Sequence, residues 1–124
     1  MPLVPMKQLL EVAAKGNFAV GAYNVNNMEQ IQAIMTAARE TKSVVIIQAS
    51  RGALKYSNFT YLKYLMLAAA EENPDIPVAL HLDHGNSLET CKEAIALGFT
   101  SVMIDGSLKE DSKTPTTFEE NVAV

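Results

Sequence analysis

The stretch Pro77-Val78-Ala79-Leu80-His81-Leu82-Asp83-His84-Gly85-Asn86-Ser87-Leu88-Glu89 passes from an apolar run into polar residues and then into a helix-start signal. The run Val78 to Leu82 reads as a buried strand. Asn86-Ser87-Leu88-Glu89 opens a helix running from about Leu88 to Leu97 and ending at Gly98. Both histidines of the chain lie where that strand runs out, on either side of Asp83. A carboxylate between two imidazoles suits metal-assisted acid-base chemistry, because imidazole holds a divalent transition metal while the carboxylate moves a proton.

The same strand-then-helix order repeats on both sides of this stretch. Pro5 opens a helix with Met6, Leu9, Leu10 and Ala13 on one face, and Gly16-Asn17 closes it. Phe18 to Val25 reads as a strand, and Asn27-Met28-Glu29-Gln30 has the form of an N-cap introducing apolar residues at 28, 31, 34, 35 and 38. Val44-Val45-Ile46-Ile47 is a β-branched run expected to be buried on both faces. Tyr61 to Glu72 follows as a helix halted by Asn73-Pro74. Ser101-Val102-Met103-Ile104 is the fourth strand, with Asp105-Gly106 at its end. Ser107 to Pro115 is a polar loop, and Thr116 and Thr117 precede Glu119 and Glu120 at capping-box offsets, so a further helix begins there.

Strands alternating with helices imply a parallel sheet with right-handed crossovers, since parallel neighbours need a long return connection. A barrel and an open sheet both satisfy the alternation. No Gly-x-Gly-x-x-Gly follows the first strand and no Gly-Lys-Ser/Thr occurs, which removes the usual nucleotide-binding signs of an open doubly wound sheet. The last helix breaks off at Val124 without a C-terminal signal. A whole (β/α)8 barrel takes about 250 residues. The expected domain is therefore residues 1–124 as the N-terminal half of a single (β/α)8 barrel, truncated in the fourth helix.

Composition narrows the function. The chain has 124 residues, 48% of them hydrophobic and 19% charged, enough for one domain with a real core. Ten Lys plus Arg against fourteen Asp plus Glu give a net charge of −4, so no positive face is expected for nucleic acid. The amino terminus lacks a signal-peptide profile and no apolar segment approaches a membrane span of roughly 18 residues. A cytoplasmic protein without membrane or nucleic-acid partners is the expectation. The single cysteine, Cys91, cannot form an internal disulfide and fits a reducing compartment.

With parallel strands, Asn24, Ser50, Asp83, His84 and Asp105 all fall at the carboxyl ends, the rim where barrel enzymes do their chemistry. Gly21-Ala22-Tyr23-Asn24-Val25-Asn26-Asn27-Met28-Glu29-Gln30, Gln48-Ala49-Ser50-Arg51-Gly52-Ala53, His81-Leu82-Asp83-His84-Gly85 and Ser101-Val102-Met103-Ile104-Asp105-Gly106-Ser107 occur in order along the chain. In these four blocks it resembles the amino-terminal half of a class II, zinc-dependent fructose-1,6-bisphosphate aldolase. The resemblance implies an α/β fold, a partial TIM (β/α)8 barrel of about four βα units with an N-terminal helix, and a parent enzyme that is a homodimer or larger. It implies a lyase of glycolysis and gluconeogenesis acting on a sugar phosphate, interconverting fructose 1,6-bisphosphate with glycerone phosphate and D-glyceraldehyde 3-phosphate. Its cofactor would be a catalytic Zn2+, with a second divalent site as a further possibility.

Residue by residue, the resemblance makes His84 a ligand of the catalytic zinc and Asp83 the acid-base group at the C4 hydroxyl. Asp105 would serve a second or alternative metal site, Ser50 would contact the glyceraldehyde 3-phosphate part of the substrate, and Asn24 would orient substrate. The family's other zinc histidines and a metal-binding glutamate would lie beyond Val124, so the chain alone is expected to be inactive. Plainer roles compete. His81, on the face of Asp83 and away from His84 by strand alternation, is expected to be structural or to support the site from behind. Asp105-Gly106 could be a turn, Ser50 a helix cap, and Arg51 and Lys55 solvated charges. Cys91 is expected to be a small buried residue sharing a helix face with Leu88 and Ile95, and Tyr61, Tyr64 and Leu65 to be packing residues. A tagatose-1,6-bisphosphate aldolase is the neighbouring activity, and a noncatalytic half-barrel that only associates is the alternative of a different class.

Overall fold

The β-branched run near residue 45 and the apolar run near residue 80 become the two inner strands of one sheet. In the computed structural model, which describes residues 3–124, β1 (Ala22–Asn24), β2 (Val45–Ser50), β3 (Val78–Gly85) and β4 (Ser101–Ile104) lie in that order, every neighbour parallel. Helix α1 (Met6–Gly16) precedes the sheet, α2 (Met28–Thr41) follows β1, and α3 (Arg51–Ser57) with α4 (Phe59–Glu72) links β2 to β3. Helix α5 (Leu88–Ala96) joins β3 to β4, and α6 (Phe118–Ala123) lies beyond β4.

Strand alternation divides the side chains into two sets. Val45, Ile47 and Ala49 of β2, with Val78, Leu80 and Leu82 of β3, pack in one cluster with Ile31, Met35, Leu62, Met66, Cys91 and Ala94 from the helices. Ile46 and Ala79 face the other way and cluster with Leu9 of α1. The inner strands are thus covered on both sides at their amino ends, as their unbroken apolar runs require. Ile47 and Leu80 are essentially fully buried, each contributing about 1.5–3 kcal/mol of hydrophobic stabilisation. Further along the Ile46 and Ala79 face come Gln48, Ser50, His81 and Asp83, so the face that begins as a floor on α1 ends in polar chemistry.

Several elements differ from the expected boundaries. β1 pairs over only three residues rather than Phe18 to Val25, because it is an edge strand and its ladder extends only where β2 runs beside it. Helix α3 has no counterpart in the sequence reading: Ala53 and Leu54 are its only buried residues, too few to show a period. Helix α4 buries Leu62, Met66, Ala69 and Ala70, while Tyr61 and Tyr64 are exposed rather than packed. On α5 the buried face is Cys91 with Ala94, and Leu88 and Ile95, at the flanks of that face, are exposed. Among the described residues no helix is long and apolar enough to cross a membrane.

Candidate active site

The parallel register places Ser50 opposite Asp83 and Asn24 opposite Gln48, which in turn lies opposite His81. Three strands therefore present polar side chains in two adjacent layers at one end of the sheet. The Gln48 Nε2 group donates to Asn24 Oδ1 at 3.0 Å and to Asp83 Oδ2 at 3.2 Å, so one amide links the first strand to the Asp83 carboxylate. Gln48 was absent from the sequence-derived candidates; its strand parity with Ser50 is the signal that would have found it.

His84 departs from simple alternation. The β3–β4 pairing shifts between Leu82 and Gly85, and His84 has φ 55°, in the left-handed region. Such a bulge re-aims a side chain. Instead of pointing away from Asp83, the His84 ring brings Nε2 to 3.7 Å from Asp83 Oδ1. Its Nδ1 lies 2.7 Å from Asp105 Oδ2. Gly85 permits this path: a Cβ there would come within 2.9 Å of both Cys91 Sγ and the Met103 carbonyl. The Asp105 N–H donates to the Gly85 carbonyl at 2.8 Å, fixing the end of β4 to the bulge.

Asp105 is gripped from the other side by Ser107, whose N–H and hydroxyl donate to Oδ1 at 3.0 and 2.5 Å. The Ser107 hydroxyl, then the His84 ring, hold the Asp105 carboxyl down to about 2. The bond to Asp105, reinforced by the charge of Asp83, raises His84 above the ordinary imidazole value. His81 behaves oppositely. Half-buried, its ring is lowered chiefly by desolvation, against the pull of Asp83, and Nδ1 meets Ser101 Oγ at 2.9 Å. The Ser101 hydroxyl also lies 3.8 Å from Met6 Sδ, so His81 is built into the floor beneath the rim.

Ser50 caps α3, its Oγ accepting from the Ala53 N–H at 3.4 Å. It also borders a cavity of about 600 Å³ lined by Arg51, His84, Asn86, Asp105 and Ser107. Arg51 and Asn86 both donate to the Glu110 carbonyl, drawing the loop after β4 against this cavity. Lys55 is exposed and is not among the cavity's lining residues. Among the described residues no three His, Cys, Asp or Glu side chains converge as a metal site. His84 on its own fits a ligand: Nδ1 is committed to a carboxylate, and the ring is 58% exposed, the arrangement found where histidine binds metal through its other nitrogen.

A parallel βα sheet with a carboxylate, an oriented imidazole and an open cavity at the carboxyl ends of its strands has the arrangement found along one rim of a TIM barrel. The sequence profile described as "Fructose-bisphosphate aldolase class-II" matches residues 4–124, and the chain belongs to that family. It is 58% identical over 124 residues to the fructose-bisphosphate aldolase class 2 of Synechocystis sp., covering all of this chain and 34% of the relative. The fructose-bisphosphate aldolase of Giardia intestinalis is 56% identical, again over all of this chain and 36% of the relative. Among solved structures, the YdjI aldolase from Escherichia coli K12 superposes with a TM-score of 0.79 at 31% identity, covering 85% of this chain and 41% of that one. Fructose-bisphosphate aldolase from Campylobacter jejuni gives a TM-score of 0.63 at 27% identity, over 85% of this chain and 39% of that one. The chain thus spans about a third of the length of the curated relatives it matches.

Proposed function

We propose that this chain supplies the first four βα units of a zinc-dependent aldolase that cleaves fructose 1,6-bisphosphate to glycerone phosphate and D-glyceraldehyde 3-phosphate and runs the reverse condensation. The observation that carries the reading is the pairing of Asp83 with His84 at the rim, Nε2 within 3.7 Å of Oδ1, in a chain of this family. Asp83 takes the proton from the C4 hydroxyl. The O–H electrons form the new carbonyl at C4 while the C3–C4 bond breaks, its electron pair passing to an enediolate that is later protonated at C3. Zn2+, when bound, supplies Lewis-acid stabilisation of the charge developing on the substrate oxygens.

His84 would hold that metal through Nε2, and the remaining ligands would come from parts of the enzyme outside this chain, since catalytic zinc takes three protein ligands. Gln48 orients the Asp83 carboxylate, Asn24, which accepts from the same Gln48 amide, orients substrate, and Ser50 offers its hydroxyl to a phosphate at the mouth of α3. For Asp105 the hydrogen bonds favour holding His84 over binding a second cation, because both its oxygens are already engaged. The domain is read as the N-terminal half of one barrel and the working enzyme as a cytoplasmic homodimer or larger.

The test is made in the full-length enzyme that carries this sequence. Asp83→Ala should retain zinc and lose turnover, while His84→Ala should lower zinc content itself; equal zinc loss in both variants would overturn the division of roles. Assaying fructose and tagatose bisphosphates side by side checks the substrate, and preference for tagatose would reassign it. The 124-residue chain alone should release no triose phosphate, because it holds a single rim histidine of the ligand set.

A further inference from the structure

The His84 ring is 58% exposed, so its orientation depends on hydrogen bonds more than on packing. It has one strong bond, from Nδ1 to Asp105 Oδ2 at 2.7 Å. An ionised carboxylate only accepts, so Nδ1 carries the proton and Nε2 keeps its lone pair. That lone pair is on the side of Asp83, 3.7 Å from its Oδ1. Asp105 is itself beyond the last paired residue of β4, and the direction of its carboxylate is set by the two Ser107 bonds on the opposite oxygen.

The two Ser107 bonds are not equivalent in meaning. The N–H bond closes a local turn that any residue with a backbone N–H could make. The hydroxyl bond, at 2.5 Å, needs serine or threonine. It pins the carboxylate against rotation, so that Oδ2 stays aimed at the left-handed histidine across the strand end. We propose that Ser107 is a positioning residue for His84, holding Asp105 so that it accepts the Nδ1–H hydrogen bond and leaves the Nε2 lone pair bare toward the cleft. The inference rests on the proposed function only for what Nε2 would bind; the state of the ring belongs to this chain alone.

The experiment is nitrogen-15 spectroscopy of the His84 ring in the full-length enzyme that carries this sequence, in metal-free alkaline buffer where the rings are neutral and without substrate, the signals being assigned by their loss in His84→Ala. The wild-type His84 should show a protonated Nδ1 and an unprotonated Nε2. Ser107→Ala keeps the backbone bond and should lower the ratio of that tautomer to the other roughly tenfold, the effect of one hydrogen bond to a charged group, drawing the two nitrogen signals together. Ser107→Thr should restore the wild-type pattern, and Asp105→Ala, which removes the acceptor, should abolish it. Ser107 is exposed, so neither of its substitutions opens the core. A Ser107→Ala ring indistinguishable from wild type would overturn the proposal, as would a Thr variant as disturbed as the Ala variant. Either failure leaves the aldolase reading standing, and absence of aldolase turnover would leave the ring result intact.

Discussion

Asp83, His84 and Asp105 form a short electrostatic chain in which His84 and Asp105 shift in opposite directions. The raised His84 contributes stability that is present below the unfolded imidazole value and is lost as pH rises through its folded pKa. The lowered Asp105 contributes stability that is present above the unfolded carboxyl value and is lost as pH falls toward about 2. The pair therefore acts together in mildly acidic solution. Asp105→Asn should move the His84 titration, followed by proton NMR, down toward the ordinary imidazole value; an unmoved titration would show that the Asp105 bond is not its main cause. Gln48 acts at the same scale. Gln48→Leu leaves Asp83 Oδ2 and Asn24 Oδ1 without their shared donor and should lower kcat of the full-length enzyme about tenfold, with zinc content unchanged by metal analysis.

At the scale of elements, the site is made by where strands end and how the next helix begins. Asn27 caps α2 on Gln30 N, Ser50 caps α3 on Ala53 N and Ser87 caps α5 on Thr90 N, each stopping a strand-to-helix connection at the same rim. Thr117 and Glu120 form a complete capping box for α6, the Thr117 choice among the two offsets present in the sequence. The β3 bulge is the most consequential of these features, because it turns His84 back beside Asp83. Gly85→Ala forces a Cβ against Cys91 Sγ and the Met103 carbonyl and should destabilise the chain by about 1–3 kcal/mol, read from urea unfolding. A melt identical to wild type would mean that the β3–β4 end yields more easily than its close contacts imply.

Across the whole molecule, four strands leave two open edges. Beside β1 a groove of about 810 Å³ lined by Phe18, Ala33, Ile34, Ala37 and Val44 stands uncovered, and at the other edge Met103 and Ile104 of β4 are exposed. Unpaired strand edges next to apolar surface favour association. The isolated chain is expected to sediment as species heavier than its 13.5 kDa mass, increasingly so with concentration. A monodisperse monomer at high concentration would show that these edges are protected in solution.

The sequence by itself determined the alternation of strands and helices, the two-sided burial of β2 and β3, and the gathering of Asn24, Ser50, Asp83 and Asp105 at one rim. It did so because apolar period and turn chemistry are local, and parallel connection then fixes which ends coincide. Four blocks in order also carried the family. Only the tertiary structure decided which way His84 points, that Gln48 joins Asn24 to Asp83, and that Tyr61 and Tyr64 stay outside the core. Those depend on a backbone bulge and on contacts between residues up to 35 positions apart, and pairing across a sheet leaves no mark in the local pattern of either strand.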